Sequence, residues 1–341
     1  MEIRTRLSKV MESFTPPSKS IIYKMIKDCG VSKTLLKRVL PQWWDDSLLS
    51  SNTGLLQFSL LLRNRLGIQM DVAESGSVSF RAASTPIQFK KRANTDHEKL
   101  ADAALLTQAV GKTFIRILRY NDALQNTELF FSELARANVD LANVVDLLWK
   151  HNIPVLYLDN FPSALSRPAG AIVRDEDCYA IVLSHKHKSV STQLFVLLHE
   201  IGHMKLGHLE TSGLITDVSI SALGETLKED TDQQEIEADE FALNVLRNGI
   251  DLRGLLRNLG AIERPGELAL HAKKLSNSHN VNPGHFVLTY GRETRNWILA
   301  HQALKFLERD TAQTIFKASY ENVKSRYNIK TDDLELLERL Q

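Results

Sequence analysis

The chain has 341 residues, 43% hydrophobic and 24% charged, with a net charge of +1. That length allows two or three domains with a sizeable core, and the composition excludes global disorder. The near-zero net charge excludes a field drawing the whole molecule to nucleic acid or membrane, and the two cysteines (Cys29, Cys178) frame neither a disulfide scaffold nor a cysteine zinc site.

The charge is nevertheless uneven. Residues 1–40 carry nine Lys and Arg against three acids, whereas 225–240 is strongly acidic. The opening MEIRTRLSKVME lacks the apolar centre of a secretory signal, and no apolar run is long enough to span a membrane. Two thiols far apart in sequence fit a reducing compartment, so a cytoplasmic location is expected.

In chain order, Ile21, Ile22, Met25 and Ile26 recur at helical spacing until Cys29-Gly30 breaks the run. Ser32 is placed to cap a second helix over Leu35, Leu36 and Val39, which Pro41 ends, and Asn52 or Thr53 to cap a third reaching Leu66. Residues 71–96 read as a connector with a short strand near Val78–Phe80. Helical patterning returns at 97–120, 126–137 and 139–150. The short β-prone runs 153–158, 171–173 and 179–183 then predict a small, largely antiparallel sheet, its last two strands joined by the turn at 174–177. A buried helix over 191–207, a polar loop, a helix over 233–247 and a mostly helical remainder complete the chain. The expected class is α+β, mostly α, with helical N- and C-terminal regions. The expected division is 1–70 helical, 71–96 connector, 97–250 catalytic and 251–341 helical.

The chemistry concentrates at HEIGH, residues 199–203. His199 and His203 stand at i and i+4, which places both imidazoles on one helix face, roughly 6 Å apart at Cβ. Leu194, Phe195, Leu197, Leu198 and Ile201 make that helix apolar nearly all round, and buried imidazoles need partners. Glu200 lies off the ligand face, in reach of a water at the metal, which is the general-base position. A catalytic zinc ion takes a third protein ligand. In EIEADEFA (235–242) an apolar stripe of Ala238, Phe241 and Ala242 is bordered by Glu235 and Asp239. Glu235 is therefore the expected third ligand, and Asp239 the carboxylate that accepts the other ring N–H of a liganding histidine. Glu237 and Glu240 are expected to point to water. The metzincin pattern is excluded, because it needs Gly at 206 and His at 209 and both are Leu. His208 and Tyr179 remain candidates for substrate or oxyanion contact.

The stretch FVLLHEIGHMKLGH (195–208), followed by EIEADEFA, resembles the ImmA/IrrE family of metallopeptidases. The resemblance covers roughly 139–247. It implies a gluzincin-like fold, Zn2+ held by His199, His203 and Glu235 with Glu200 as base, and cytoplasmic cleavage of a regulator. Its implied targets are repressors or antitoxins encoded nearby, acting in stress, phage-defence or mobile-element responses. The flanks depart from the family: Val196-Leu197-Leu198 replaces its usual Thr-Leu-Ala, and Val245-Leu246-Arg247-Asn248 replaces its Leu-Leu-Met-Pro.

KMIKDCGVSKTLLKRVL (24–40) also resembles a helix-turn-helix, with Gly30-Val31-Ser32 at the turn and Lys33, Lys37 and Arg38 on the second helix. Such cations would contact phosphates and base edges, making DNA a candidate partner through residues 19–40. An ordinary helical hairpin with solvated lysines is the alternative, and the adjoining Trp43-Trp44 reads as a packing anchor. Residues 281–285 resemble a turn and helix found downstream of the catalytic unit in some family members, with packing the expected role. Peptide hydrolysis is the leading expectation, with substrate added along the edge of 178–184 and the 209–233 loop gating access. The rivals are a DNA-binding regulator with a sensory or structural zinc, and a toxin–antitoxin component acting by sequestration.

Overall fold

The computed structural model of the chain describes residues 16–72, 77–82, 87–90, 97–209, 212–217, 233–259 and 262–341. Helices α1 (Lys19–Asp28) and α2 (Lys33–Val39) form the expected hairpin. Gly30, at φ +83, makes a turn that a side chain would resist, and the Ser32 hydroxyl accepts from the Leu35 N–H to cap α2. Helix α3 (Asn52–Leu66) is capped by Ser51, one residue earlier than expected, because its hydroxyl reaches the Gly54 N–H. The connector holds more structure than its composition suggests. Strands β1 (Ile68–Val72) and β2 (Val78–Ala82) pair antiparallel, and β3 (Ile87–Lys90) joins the main sheet.

Then follow α4 (His97–Tyr120), α5 (Thr127–Leu134), α6 (Leu141–Lys150), β4 (Val155–Tyr157), β5 (Gly170–Asp175), β6 (Cys178–Leu183), α7 (Val190–Leu206), β7 (Ser212–Asp217) and α8 (Gln233–Arg247). The remainder is helical: α9 (Leu252–Arg257), α10 (Pro265–His279), α11 (Pro283–Thr294), α12 (Trp297–Leu304), α13 (Ala312–Lys324) and α14 (Thr331–Leu340). The class is α+β, mostly α.

The main sheet runs β3-β7-β5-β6-β4. Its three central strands are antiparallel, and its edge strands β3 and β4 are each parallel to their neighbours, so the sheet is mixed. Strand β7 falls within the expected polar loop. It is held by β5 and β3, both distant in sequence, and buries Leu214 and Ile215. Residues 210–211 and 218–232 of the expected gating loop lie outside the described residues. The expected docking edge on β6 is not open. Residues 181–183 pair with β4, and the Gln125 side-chain amide bonds both the N–H and the carbonyl of Tyr179.

Alternation along β5 sets the layers. Asp175 meets Arg119 of α4, and Gly111 of α4 stands against Val173. On the other face Gly170 meets α7, and Arg174 bonds the Leu209 carbonyl beyond its end. The sheet is thus covered by α4 on one side and α7 on the other, which is why Ala171–Val173 and Ala180–Leu183 are all buried.

One hydrophobic core joins α1–α3, the sheet and its covering helices, and it also takes in α13 and α14. The expected helical unit over 251–341 therefore divides. Residues 252–304 have a core of their own, whereas α13 and α14 fold back, Phe316 stacking on Tyr157 at 5.2 Å. Between the two, Glu308 accepts hydrogen bonds from the Ser189 and Ser191 hydroxyls and from the Val190 and Ser191 N–H groups. This fixes the first turn of α7 with a carboxylate at its positive end.

Candidate metal centre

Helix α7 is capped at its start by Ser189 and leaves at Gly207, whose φ of +68 is left-handed. Every residue from Ser191 to Met204 is buried. His199 is 2% exposed, and Glu200 and His203 are 0%, so three polar side chains are enclosed in an apolar helix.

Helix α8 supplies their partners because it crosses α7 at Gly202. A Cβ on Gly202 would lie 3.0 Å from both the Cα and the carbonyl oxygen of Ala238. With no side chain on one helix and a methyl on the other, the backbones meet closely, and Glu235 arrives beside the histidines. Its Oε2 is 3.4 Å from His199 Nε2 and its Oε1 3.3 Å from His203 Nε2. The two Nε2 atoms are 3.1 Å apart. The ligand atoms of these three residues lie within 4.8 Å of one another, so the group could hold a metal ion.

The far side of each imidazole is also engaged. His199 Nδ1 lies 2.7 Å from Asp239 Oδ1. His203 Nδ1 lies 2.8 Å from His208 Nδ1, and His208 Nε2 lies 3.1 Å from Glu237 Oε2. Both Nε2 atoms are thereby turned to the shared point, and two imidazoles with one carboxylate are a donor set that suits zinc. Burial would raise the Glu235 carboxyl, but the His199 and His203 imidazoles beside it outweigh burial and hold it well below the usual carboxylate range. Glu200 packs against the start of β5, where a Cβ on Gly170 would fall 2.3 Å from Glu200 Oε1.

The structure brings together His199, His203, Glu235 and Asp239, while the Glu200 side chain, next along α7 from His199, packs against Gly170. It places His208, only 8% exposed, behind His203 with both ring nitrogens engaged. Glu237 does not simply point to water, since it reaches His208. Tyr179 lines a cleft with Met204 and Lys205 at the end of α7. It pairs with Arg174, four residues along β6 from Leu183, the partner of Gly170, or roughly 13 Å at the usual strand rise. Its ring carries the Arg174 guanidinium at 5.3 Å. Lys33, Lys37 and Arg38 share the exposed face of α2, Lys33 over the Tyr23 ring at 5.3 Å. Residues 281–285 open α11, where Gly284 presses on Ser191 of α7, a packing contact.

Sequence reasoning missed Gly170, Gly202 and Glu237. Gly202 carried a signal, as a glycine inside an apolar helix marks a close approach. Gly170 and Glu237 carried none, because their contacts are made across elements.

A family model described as Peptidase U49 matches residues 140–255, from α6 through both ligand-bearing helices into α9. The stretch includes Gly170 and every residue of the candidate metal centre described above. The match supports a peptidase function. No curated protein and no solved structure matches the chain. No helix among the described residues is long and apolar enough to cross a membrane.

Proposed function

We propose that the chain is a zinc-dependent metalloendopeptidase that cuts a specific intracellular regulatory protein. The observation that carries this reading is the convergence of His199 Nε2, His203 Nε2 and the Glu235 carboxylate beside a fully buried Glu200. Zinc in that donor set would supply Lewis acidity towards a substrate carbonyl and a water at neutral pH. Asp239 accepts from His199 Nδ1–H and leaves Nε2 as the nitrogen that would bind the metal. Glu200 takes a proton from the attacking water and delivers it to the leaving amine nitrogen, and Gly170 leaves room for its carboxylate to do so.

The motif likeness to the ImmA/IrrE peptidases supports a repressor or antitoxin as substrate, in a stress, phage-defence or mobile-element response. It also supports a cytoplasmic setting, with which the free Cys29 and Cys178 agree. The test is Glu200→Gln, assayed on the product of the neighbouring gene. The variant should bind one zinc like the wild type and cleave about 10²- to 10⁴-fold more slowly. Cleavage at the wild-type rate would remove the hydrolytic reading and leave a sensory or structural zinc.

A second contact, to DNA, is supported by the exposure of Lys24, Lys27, Lys33, Lys37 and Arg38 on the α1–α2 hairpin. Replacing Lys33, Lys37 and Arg38 together by Ala should weaken duplex binding and flatten its salt dependence. Binding unchanged in both respects would return the hairpin to a packing role.

A further inference from the structure

We infer that Glu237 and His208 form a relay that fixes the tautomer and ring angle of His203, and thereby sets the affinity of the centre for its metal. The inference rests on the metallopeptidase reading above.

A neutral imidazole has one N–H and one acceptor nitrogen. With His203 Nε2 turned to the point it shares with His199 and Glu235, the proton of His203 resides on Nδ1. That N–H donates to His208 Nδ1 across 2.8 Å. His208 Nδ1 is then the acceptor, so its proton is on Nε2, which donates to Glu237 Oε2 across 3.1 Å. Each tautomer dictates the next, and the chain ends on a carboxylate that Gln233 also anchors, its Nε2 donating to Glu237 Oε1 at 3.0 Å.

The two histidines are thus oriented by different devices on one helix. Asp239 follows Glu235 by one turn, shares its face and reaches His199 directly. Glu237 lies about 200° round α8 from Glu235, so an intervening ring is needed to connect it with His203. His208 is that ring. Gly207 reverses the chain in the left-handed region, and the His208 N–H returns to the His203 carbonyl at 3.1 Å, folding the imidazole back behind its partner. Because both its nitrogens are spent on His203 and Glu237, His208 is a positioning residue and has no N–H left for an oxyanion.

The test is zinc titration of the full chain against a competing chelator, with nitrogen-15 spectra of the imidazoles of the wild type. The wild type should bind one zinc, with His203 protonated at Nδ1 and His208 at Nε2. His208→Phe fills the space without an acceptor and should weaken binding about 10- to 100-fold. His208→Asn, which offers an oxygen near the Nδ1 position, should restore most of that loss, and Glu237→Gln should fall between wild type and His208→Phe. Equal affinity in all four proteins, or a proton on His208 Nδ1, overturns the relay while leaving the metal centre intact. If His208→Phe does not fold, Glu237→Gln and the wild-type spectra decide, since the Glu237 side chain is 41% exposed and outside the core. A wild type that binds no zinc overturns the metallopeptidase reading itself, and the relay with it.

Discussion

Gly202 of α7 faces the backbone of Ala238 of α8 so closely that a Cβ at 202 would stand 3.0 Å from two of its main-chain atoms. Main chain cannot rotate out of the way, so the helices must separate. Gly202→Ala should therefore destabilise the fold by about 1–3 kcal/mol, although alanine is the better helix former by about 1 kcal/mol. Because the crossing also delivers Glu235, zinc affinity should fall in the same variant. Denaturant unfolding and a zinc titration measure the two effects; a variant as stable and as tight-binding as the wild type would mean that the crossing does not set the site.

Gly170 gives the opposite case. A Cβ there would fall 2.3 Å from Glu200 Oε1, the end of a flexible side chain, so the carboxylate moves and the strand stays. Gly170→Ala should keep zinc and shift Tm by no more than about 2 °C, the scale of a 1 kcal/mol change in a chain of this size. Turnover should fall about 10²-fold, since the displaced group is the proposed base. Full turnover in a folded variant would show that the Glu200 carboxylate acts from another position.

Asp333 of α14 joins the start of the fold to its end. Its Oδ1 lies 3.3 Å from Arg65 Nη2 and 2.8 Å from Arg116 Nη2, and the Arg65 side chain is 3% exposed. Burial makes the Arg65 guanidinium easier to deprotonate, and the charge of Asp333 opposes this. Asp333→Ala leaves a buried cation without its counter-charge and should cost about 3–5 kcal/mol. Urea unfolding checks it; a loss under about 1 kcal/mol would show the network to be solvated.

His285 predicts a pH dependence. It is enclosed, and burial, reinforced by the nearby Arg247, pushes its pKa down from 6.5 to about 3. Its folded pKa lies below its unfolded one, so the unfolded chain binds the extra proton. The stability contributed by neutral His285 is complete above about pH 6.5 and is lost as pH falls towards about 3, at about 1.4 kcal/mol per pH unit. His285→Met should remove that part of the slope, as unfolding free energies between pH 7 and 4 would show. An unchanged slope would place the loss in other groups.

The sequence alone determined which residues are candidates for the metal site. His199 and His203 one turn apart, Glu200 between them, and Glu235 and Asp239 bordering an apolar stripe are local patterns, fixed by a 3.6-residue period that operates without knowledge of the rest of the chain. The same holds for the α1–α2 hairpin with Gly30 at its turn, and for the β5–β6 hairpin. The tertiary structure decided what depends on pairing between distant residues. It placed β7 between β5 and β3, closed the β6 edge with Gln125 and β4, and returned α13 and α14 to the main core. It set Gly170 against Glu200, and drew Glu237, which its own helix periodicity would send to water, onto His208. A period of 3.6 or 2 states which side chains share a face. Which surface that face meets is settled only when non-local packing brings the two together.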